Sequence, residues 1–176
     1  MLLMGNGRAY SRSTKSVEET KELAATLAPF LRRGDIILLE GDLGAGKTQF
    51  VQAIASCLGV TENIVSPTFN IMLSYQGDDL ELSHFDLYRL DSSQELEDVG
   101  YWEALEDDGV SFVEWGNKFP NCMPADYMRI RIECTGESTR VITCRSCGER
   151  GRRLLFMWAQ DPAAALHPVP DSKRFL

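Results

Sequence analysis

The chain has 176 residues, of which 44% are hydrophobic, and a formal net charge of −8 at pH 7. This length and composition predict one domain with a substantial hydrophobic core. The acidic excess argues against broad, sequence-independent binding to nucleic acid, because such binding requires Lys and Arg side chains that neutralise many phosphates. Any contact with RNA is therefore expected to be indirect.

The apolar runs are far shorter than the roughly 20 residues that a membrane helix needs, and no export signal is recognised at the N-terminus. We therefore expect a cytoplasmic protein without membrane contact, which is a monomer when free. Its five cysteines are expected to be reduced thiols. Cys144 and Cys147 have zinc-ligand spacing, but a structural zinc site usually has four ligands and only Cys134 lies nearby, which favours ordinary thiols.

The N-terminal part predicts an arm followed by a helix. Residues 1–15 are polar and irregular, which predicts a flexible arm. Ser16 and Glu19 have the spacing of a capping box, in which each side chain accepts a hydrogen bond from the backbone of the other residue. An apolar face at helical spacing follows the cap and ends before Gly34; it consists of Leu23, Leu27, Phe30 and Leu31.

The sequence from position 41 to 48 matches the phosphate-binding pattern G-x-x-x-x-G-K-[ST] without a mismatch. In such a loop the glycines let backbone N–H groups point at a phosphate, Lys47 reaches the outer phosphates, and the Thr48 hydroxyl binds Mg²⁺. Residues 35–40 predict a buried strand before the loop, and residues 49–58 predict a helix after it. The expected nucleotide-binding residues here are Asp42, Leu43, Gly44, Ala45, Gly46, Lys47, Thr48 and Gln49.

Beyond this helix the pattern predicts a hairpin and a further helix. Ser66-Pro67 breaks any helix, the alternation after it indicates a strand that ends at a turn over residues 76–79, and Leu80–Asp86 predicts the returning antiparallel strand. Gln94–Leu105 has apolar residues at three-residue intervals, so we expect one helix despite Gly100. Its outward side is acidic, which is typical of a solvated face and would also suit docking of a basic partner.

Val110–Trp115 predicts a second core strand that delivers an acid to its end. A buried carboxylate without a partner costs several kcal/mol, so Glu114 must reach solvent or meet a cation. Mg²⁺ held by Thr48 would be such a cation.

The remaining chain predicts an antiparallel edge hairpin from Tyr127–Glu133 and Arg140–Cys144, both of which alternate. Leu154–Trp158 indicates either a last strand or a helical turn. We expect a P-loop ATPase domain over residues 16–148 and a partly mobile C-terminal extension over residues 149–176.

Nucleotide hydrolysis requires a metal, a group that orients water and a contact to the γ-phosphate. Glu114 could hold Mg²⁺, and Asp86, at the end of its strand, could orient the water or the metal shell. Ser66 and Thr68, in a loop stiffened by proline, could bond the γ-phosphate and act as a switch. Other interpretations stay open: Asp86 could cap a turn, Glu114 could pair with an arginine, and Thr68 could begin a strand.

Five motifs follow one another within about residues 16–133. They are Gly41-Asp42-Leu43-Gly44-Ala45-Gly46-Lys47-Thr48, Ser66-Pro67-Thr68-Phe69, His84-Phe85-Asp86-Leu87-Tyr88-Arg89-Leu90, Glu95-Leu96-Glu97-Asp98-Val99-Gly100 and Val113-Glu114-Trp115. In this order and combination they closely resemble the TsaE (YjeE) family, small bacterial P-loop ATPases that serve the threonylcarbamoyladenosine modification of tRNA.

The resemblance implies a P-loop NTPase-like α/β fold of three layers, whose mixed sheet has a parallel core and flanking antiparallel strands. It implies ATP and Mg²⁺ as cofactors, weak ATPase activity, and association with the TsaB–TsaD pair, which transfers threonylcarbamoyl to the adenosine beside the anticodon. By position, Lys47, Asp86 and Glu114 would be catalytic, and Thr48 and Glu114 would hold the metal. Ser66 to Thr68 would form a switch-like loop, and Trp115 would lie beside the nucleotide.

Gln49 stands where the family usually has Thr or Ser, so a hydroxyl contact to the α-phosphate is not carried over. His84 and Tyr88 are interpreted as packing residues. Two rival functions differ in class: a small P-loop nucleotide kinase, which would normally have a lid domain or acceptor pocket, and a nucleotide-gated binding module in which hydrolysis is incidental. No Asn-Lys-x-Asp motif for guanine occurs, which favours ATP.

Overall fold

The centre of the sheet is the apolar strand β2 (Ile36–Glu40), which is buried on both faces because it has strands on both sides and helices above and below. The computed structural model describes residues 8–170. In it β2 pairs in parallel with β5 (Val110–Glu114) and with β6 (Tyr127–Cys134). A further strand, β4 (Glu81–Asp86), pairs in parallel with β5. The carboxyl ends of these four strands therefore lie along one edge.

Antiparallel strands extend this parallel core on both sides. β3 (Met72–Gln76) pairs with β4, and β7 (Arg140–Cys147) pairs with β6. Beyond β7 lie β1 (Tyr10–Thr14) and the two-residue β8 (His167–Pro168), so the eight strands run in the order β3-β4-β5-β2-β6-β7-β1-β8. The predicted mixed sheet with a parallel core and antiparallel flanks is confirmed.

Helices cover both faces of the sheet, as a three-layer fold requires. α1 (Val17–Ala25), α2 (Lys47–Cys57) and α5 (Gly148–Gln160) pack on the face that carries Ile37 and Leu39. The short helices α3 (Gln94–Asp98) and α4 (Tyr101–Glu106) pack on the opposite face through Leu96 and Tyr101. Within residues 8–170, no helix has the length and apolarity that crossing a membrane requires.

The start of α1 matches the predicted cap with one difference. The backbone N–H of Glu19 donates to Ser16 Oγ at 3.1 Å, as a capping box requires. The Glu19 carboxylate, however, accepts from the backbone N–H of Lys15 at 2.8 Å instead of from that of Ser16. The side chain therefore ties down the chain one residue earlier than predicted.

Regular structure extends closer to both ends of the described chain than the sequence predicts. The prediction of a flexible arm is wrong for Tyr10–Thr14, which is a strand of the sheet; residues 1–7 lie outside the described part. Leu154–Trp158, predicted as a strand or a helical turn, belongs to α5, a helix of 13 residues that begins at Gly148. Ala164 and Leu166 beyond it are buried in the main core, and residues 171–176 lie outside the described part.

Two further predictions need correction. The helix expected over Gln94–Leu105 is two helices, because Gly100 has a φ of 69° and ends the first of them. The β6–β7 hairpin forms as predicted, but it lies inside the sheet, since β2 covers one side of it and β1 the other. Without knowledge of β1 and β8, an alternating hairpin near the end of a chain is most simply assigned to an edge.

A buried ion pair connects α5 to the start of β2, and it provides a test of whether the C-terminal helix belongs to the core. The Arg153 Nη2 donates to both oxygens of Asp35, at 2.8 and 2.6 Å, and Asp35 is 2% exposed. The Arg153→Met variant should lower the free energy of unfolding by about 3 kcal/mol, because the carboxylate stays buried without its cation. Denaturation by urea followed by circular dichroism measures this. Arg152→Met, which changes the exposed neighbour on the same helix, should cost less than about 0.5 kcal/mol; equal losses in the two variants would contradict the assignment.

Candidate nucleotide-binding site

The loop between β2 and α2 is curled by glycines that adopt positive φ angles. The angles are 153° at Gly41, 81° at Gly44 and 108° at Gly46, where α2 begins. A Cβ atom on Gly41 would lie 2.5 Å from the carbonyl oxygen of Ile132 and 2.9 Å from the Cβ of Ala45. Position 41 therefore excludes side chains by conformation and by space.

Lys47, the first residue of α2, turns its side chain back over the loop. Its Nζ donates to the carbonyl oxygens of Gly41 at 2.7 Å and Asp42 at 3.0 Å. Burial lowers the pKa of Lys47, while the negative charges of Glu114, Asp86 and Asp42 oppose that shift. The ammonium group is therefore held among acceptors at the floor of the loop.

Trp115 forms a wall beside this lysine. Its ring centroid lies 4.6 Å from Lys47 Nζ and 5.0 Å from the ring of Tyr88. The backbone of Trp115 has a φ of 61°, a conformation that costs a residue with a side chain of order 1 kcal/mol or more. This strained turn directly after β5 aims the indole at the loop.

Glu114, the last residue of β5, is 3% exposed, and one of its two carboxylate oxygens has side-chain hydrogen-bond partners. Its Oε1 accepts from the Thr48 hydroxyl at 3.0 Å and lies 2.8 Å from Nε2 of His84. Among the described residues these two are its polar side-chain partners, so the interpretation that it pairs with an arginine is not what the structure shows. A carboxylate and the hydroxyl of Thr48 therefore meet at the start of α2.

Asp86, the last residue of β4, lies beside Glu114 in the sheet register and is also almost fully buried. Its Oδ2 accepts from the Thr68 hydroxyl at 2.6 Å and from the Ser66 hydroxyl at 3.3 Å. Its Oδ1 accepts from the backbone N–H of Tyr88 at 3.0 Å, so Asp86 also caps a turn. Thr68 does not begin a strand, because β3 starts only at Met72.

These groups surround a cavity of about 290 Å³. It is lined by Leu43, Gly44, Gly46, Lys47, Thr48, Gln49, Ser66, Thr68, Asp86, Glu114 and Trp115. Two residues predicted for this site do not line it: Ala45 is a buried residue of the loop, and Asp42 lines a second cleft together with Arg131 and Asn117. The structure thus brings together the residues predicted from the motifs, while the role of each remains a prediction.

Sequence reasoning missed two residues near the site. Arg140, at the start of β7, donates from Nε to the carbonyl oxygen of Ala45 at 2.9 Å and so holds the outer side of the loop. No local pattern could reveal a contact across 95 positions. From sequence, His84 is interpreted as a packing residue, although it lies two residues before Asp86 on one strand and so shares its face. That spacing is the signal that the sequence offers.

The family model for the threonylcarbamoyl adenosine biosynthesis protein TsaE matches residues 14–142. The chain belongs to the TsaE family. The matched range includes the glycine loop, both buried carboxylates and Trp115, and it ends within β7.

Individual relatives agree with this assignment. The tRNA threonylcarbamoyladenosine biosynthesis protein TsaE of Bacillus subtilis is 41% identical over 137 residues, which are 78% of this chain and 85% of that protein. The protein of the same name from Treponema pallidum is 35% identical over 130 residues, which are 74% of this chain and 96% of that protein.

A solved structure shows the fold as well. The crystal structure of YdiB from Bacillus subtilis superimposes with a TM-score of 0.75 at 33% identity, and the match covers 88% of this chain and 96% of that one. The predicted P-loop fold is therefore confirmed, and the match spans more of this TsaE family member than the family model does.

Glycine at position 41 can be tested against glycine at position 44. The Gly41→Ala variant should lower the free energy of unfolding by about 3 kcal/mol, because the new methyl group meets the Ile132 carbonyl in a backbone conformation that is already unfavourable. Gly44→Ala also places a side chain on a backbone of positive φ, 81°, but with open space around it, so it should cost about 1 kcal/mol. Denaturant titration of both variants measures the difference. Indistinguishable losses would show that the loop relaxes away from Ile132.

Proposed function

We propose that this TsaE family member binds ATP together with Mg²⁺, hydrolyses it slowly, and thereby supports formation of threonylcarbamoyladenosine beside the tRNA anticodon by acting on the TsaB–TsaD transferase complex. The observation that carries the proposal is one cavity in which the glycine loop, Lys47, the Thr48–Glu114 pair and Asp86 all converge. These are the groups that phosphoryl transfer from a nucleotide requires: a phosphate cradle, a metal site and a buried carboxylate.

The loop fits a polyphosphate. Its glycines leave the backbone bare of side chains where a phosphate would approach, and α2 begins there with the positive end of its dipole. The Lys47 ammonium group is already positioned by hydrogen bonds to two carbonyl oxygens. It would exchange some of these hydrogen bonds for contacts with the outer phosphates.

The donor set fits magnesium, which prefers oxygen ligands and usually keeps several waters. The Thr48 hydroxyl and Glu114 Oε1 lie 3.0 Å apart in the lining of the cavity, so both residues can bind one ion directly or through water. When bound, the ion would neutralise charge on the phosphate oxygens. Asp86, beside Glu114 in the sheet, would orient the attacking water.

Asp86 also links the site to a loop that can respond to the nucleotide. Ser66 and Thr68 bond to each other at 2.7 Å and to Asp86, and they belong to a segment without regular structure between α2 and β3. Ile71, at the end of this segment, has a φ of 64°, which is costly for a β-branched residue. A γ-phosphate that competes for these hydroxyls would loosen the loop from Asp86, so the loop is suited to act as the switch.

Two large apolar side chains are exposed at or next to the cavity lining: Leu43 belongs to the lining, and Phe69 directly follows Thr68 of the lining. Leu43 is 83% exposed and Phe69 is 81% exposed. Large side chains this exposed are typical of interaction sites when they cluster. They support action on a protein partner, and the net charge of −8 supports only indirect contact with tRNA.

The central test is phosphate release from ATP with Mg²⁺, measured for the protein alone and with the TsaB–TsaD pair. We expect slow release that rises at least tenfold with the pair, and release abolished by Lys47→Ala because the charge on the phosphates is lost. Release that the pair does not change would contradict the proposed partner. A product other than ADP and phosphate would favour the kinase alternative.

Asp86→Ala separates hydrolysis from nucleotide gating. This variant should bind ATP but release phosphate at least about a hundredfold more slowly, since a water-orienting carboxylate typically contributes a factor of this size. It should therefore not support repeated cycles of tRNA modification. Asp108→Ala, which changes an exposed carboxylate, serves as the control. Continued cycles in Asp86→Ala would favour the gated binding module.

Phe69→Ser tests whether the partner covers the exposed side chain that follows Thr68 of the cavity lining. The variant should keep the phosphate release of the isolated protein but lose most of the stimulation by the TsaB–TsaD pair, because an exposed aromatic side chain contributes mainly when a partner buries it. Phe156→Ser is the matched control, since Phe156 is 59% exposed on α5. Equal stimulation of both variants would place the docking surface elsewhere.

A further inference from the structure

His84 is a fully buried histidine of β4, and in the described part of the chain only one of its two ring nitrogens has a hydrogen-bond partner. Its exposed fraction is 0%, and Nε2 lies 2.8 Å from Glu114 Oε1. Its other ring nitrogen, Nδ1, has no hydrogen-bond partner within residues 8–170. A buried polar atom without a partner costs free energy. A residue that only fills space at this position would be better replaced by an apolar one, so the histidine calls for another explanation.

The contact with Glu114 determines the tautomer of the ring. An ionised carboxylate can only accept hydrogen bonds, so the Nε2 that faces it must carry the proton. Nδ1 is then a bare acceptor, which is less costly to bury than an unpaired N–H group. His84 therefore donates to Glu114 from a position that β4 and the core around it hold rigidly.

The hydrogen bond from His84 makes the two oxygens of Glu114 different in their contacts. Oε1 receives both the His84 N–H and the Thr48 hydroxyl, whereas among the described residues no side chain donates to Oε2. Glu114 lines the nucleotide cavity and has Lys47 as a nearby cation. Without the histidine the carboxylate would be free to turn toward the lysine ammonium.

We propose that His84 is a positioning residue for the metal site: by saturating Oε1 it keeps Glu114 turned so that its second oxygen faces the place where Mg²⁺ would be held. The proposal rests on the proposed function, because it concerns the metal that accompanies the nucleotide. His84 itself touches neither phosphate nor metal. Partners that orient metal ligands typically change metal affinity 10–100-fold when they are removed.

Two variants test this. His84→Leu removes the donor and leaves an apolar side chain of similar volume. Because Glu114 keeps the Thr48 hydroxyl and the nearby Lys47 charge, the variant should still fold, with a lower midpoint of thermal denaturation measured without nucleotide. His84→Gln keeps an N–H donor that can reach the position of Nε2. The measurement is the affinity for a fluorescent ADP analogue, first in EDTA and then across a titration with Mg²⁺.

In EDTA both variants should bind the analogue within about twofold of the wild type, since the loop is intact. The Mg²⁺ concentration that gives half of the metal-dependent change should rise about tenfold or more in His84→Leu and return to within about threefold of the wild type in His84→Gln. A His84→Leu protein with wild-type Mg²⁺ dependence would overturn the proposal, as would a glutamine variant no better than the leucine variant.

A spectroscopic readout stands apart from nucleotide binding. The chain has two histidines, so ¹⁵N-edited NMR can assign the His84 ring by its loss in His84→Gln. We expect a ring protonated at Nε2 and bare at Nδ1, with an N–H resonance that shifts in Glu114→Gln. Protonation at Nδ1 would overturn the proposal. A wild-type protein that bound the analogue equally with and without Mg²⁺ would overturn the proposed metal and its positioning together, while the resonance would still report whether His84 orients Glu114.

Discussion

The candidate site depends on a carboxylate, Glu114, that is held in the protein interior at the end of a parallel strand. A buried charge is tolerated only when hydrogen bonds or a counter-charge compensate for its lost hydration. Here the compensation comes from three parts of the chain: His84 from the adjacent strand, Thr48 from the start of α2, and the nearby ammonium of Lys47. The position of Glu114 thus links β4, β5 and α2 at one point.

This arrangement requires that β4, β5 and β2 run in parallel. In parallel strands the carboxyl ends lie at one edge of the sheet, so Asp86 and Glu114 become neighbours and the glycine loop leaves β2 beside them. An antiparallel pairing of β4 with β5 would send one carboxylate to the opposite edge. The antiparallel strands are accordingly confined to the two sides of the core, where they carry none of the converging carboxylates.

The strands β7 and β1 and the last helix, α5, support the site from outside the parallel core. β7 presents Arg140 to the loop carbonyl of Ala45, and it is itself held between β6 and β1. α5 covers the same face of the sheet as α1, and its Trp158 indole donates to the Thr26 hydroxyl at 2.8 Å. The glycine loop thus leaves a strand, β2, that is packed on both faces, which limits how far the loop backbone can relax.

The sequence by itself determined the features whose causes are local. The loop follows from glycines, which adopt positive φ angles without the cost that a side chain adds. The α1 cap follows from the spacing of Ser16 and Glu19, and the buried strands follow from continuous or alternating apolar residues. The order of the motifs also indicated the family, which the comparisons confirmed. Only the tertiary structure decided that Tyr10–Thr14 joins the sheet, that the last helix is part of the core, that Asp42 lies outside the cavity, and that His84 meets Glu114. Each of these depends on strand register or packing between distant segments. Polar strands such as β1 have no apolar pattern to announce them, and the partner of a buried polar side chain is set by which strand lies next to it, which no short stretch of sequence encodes.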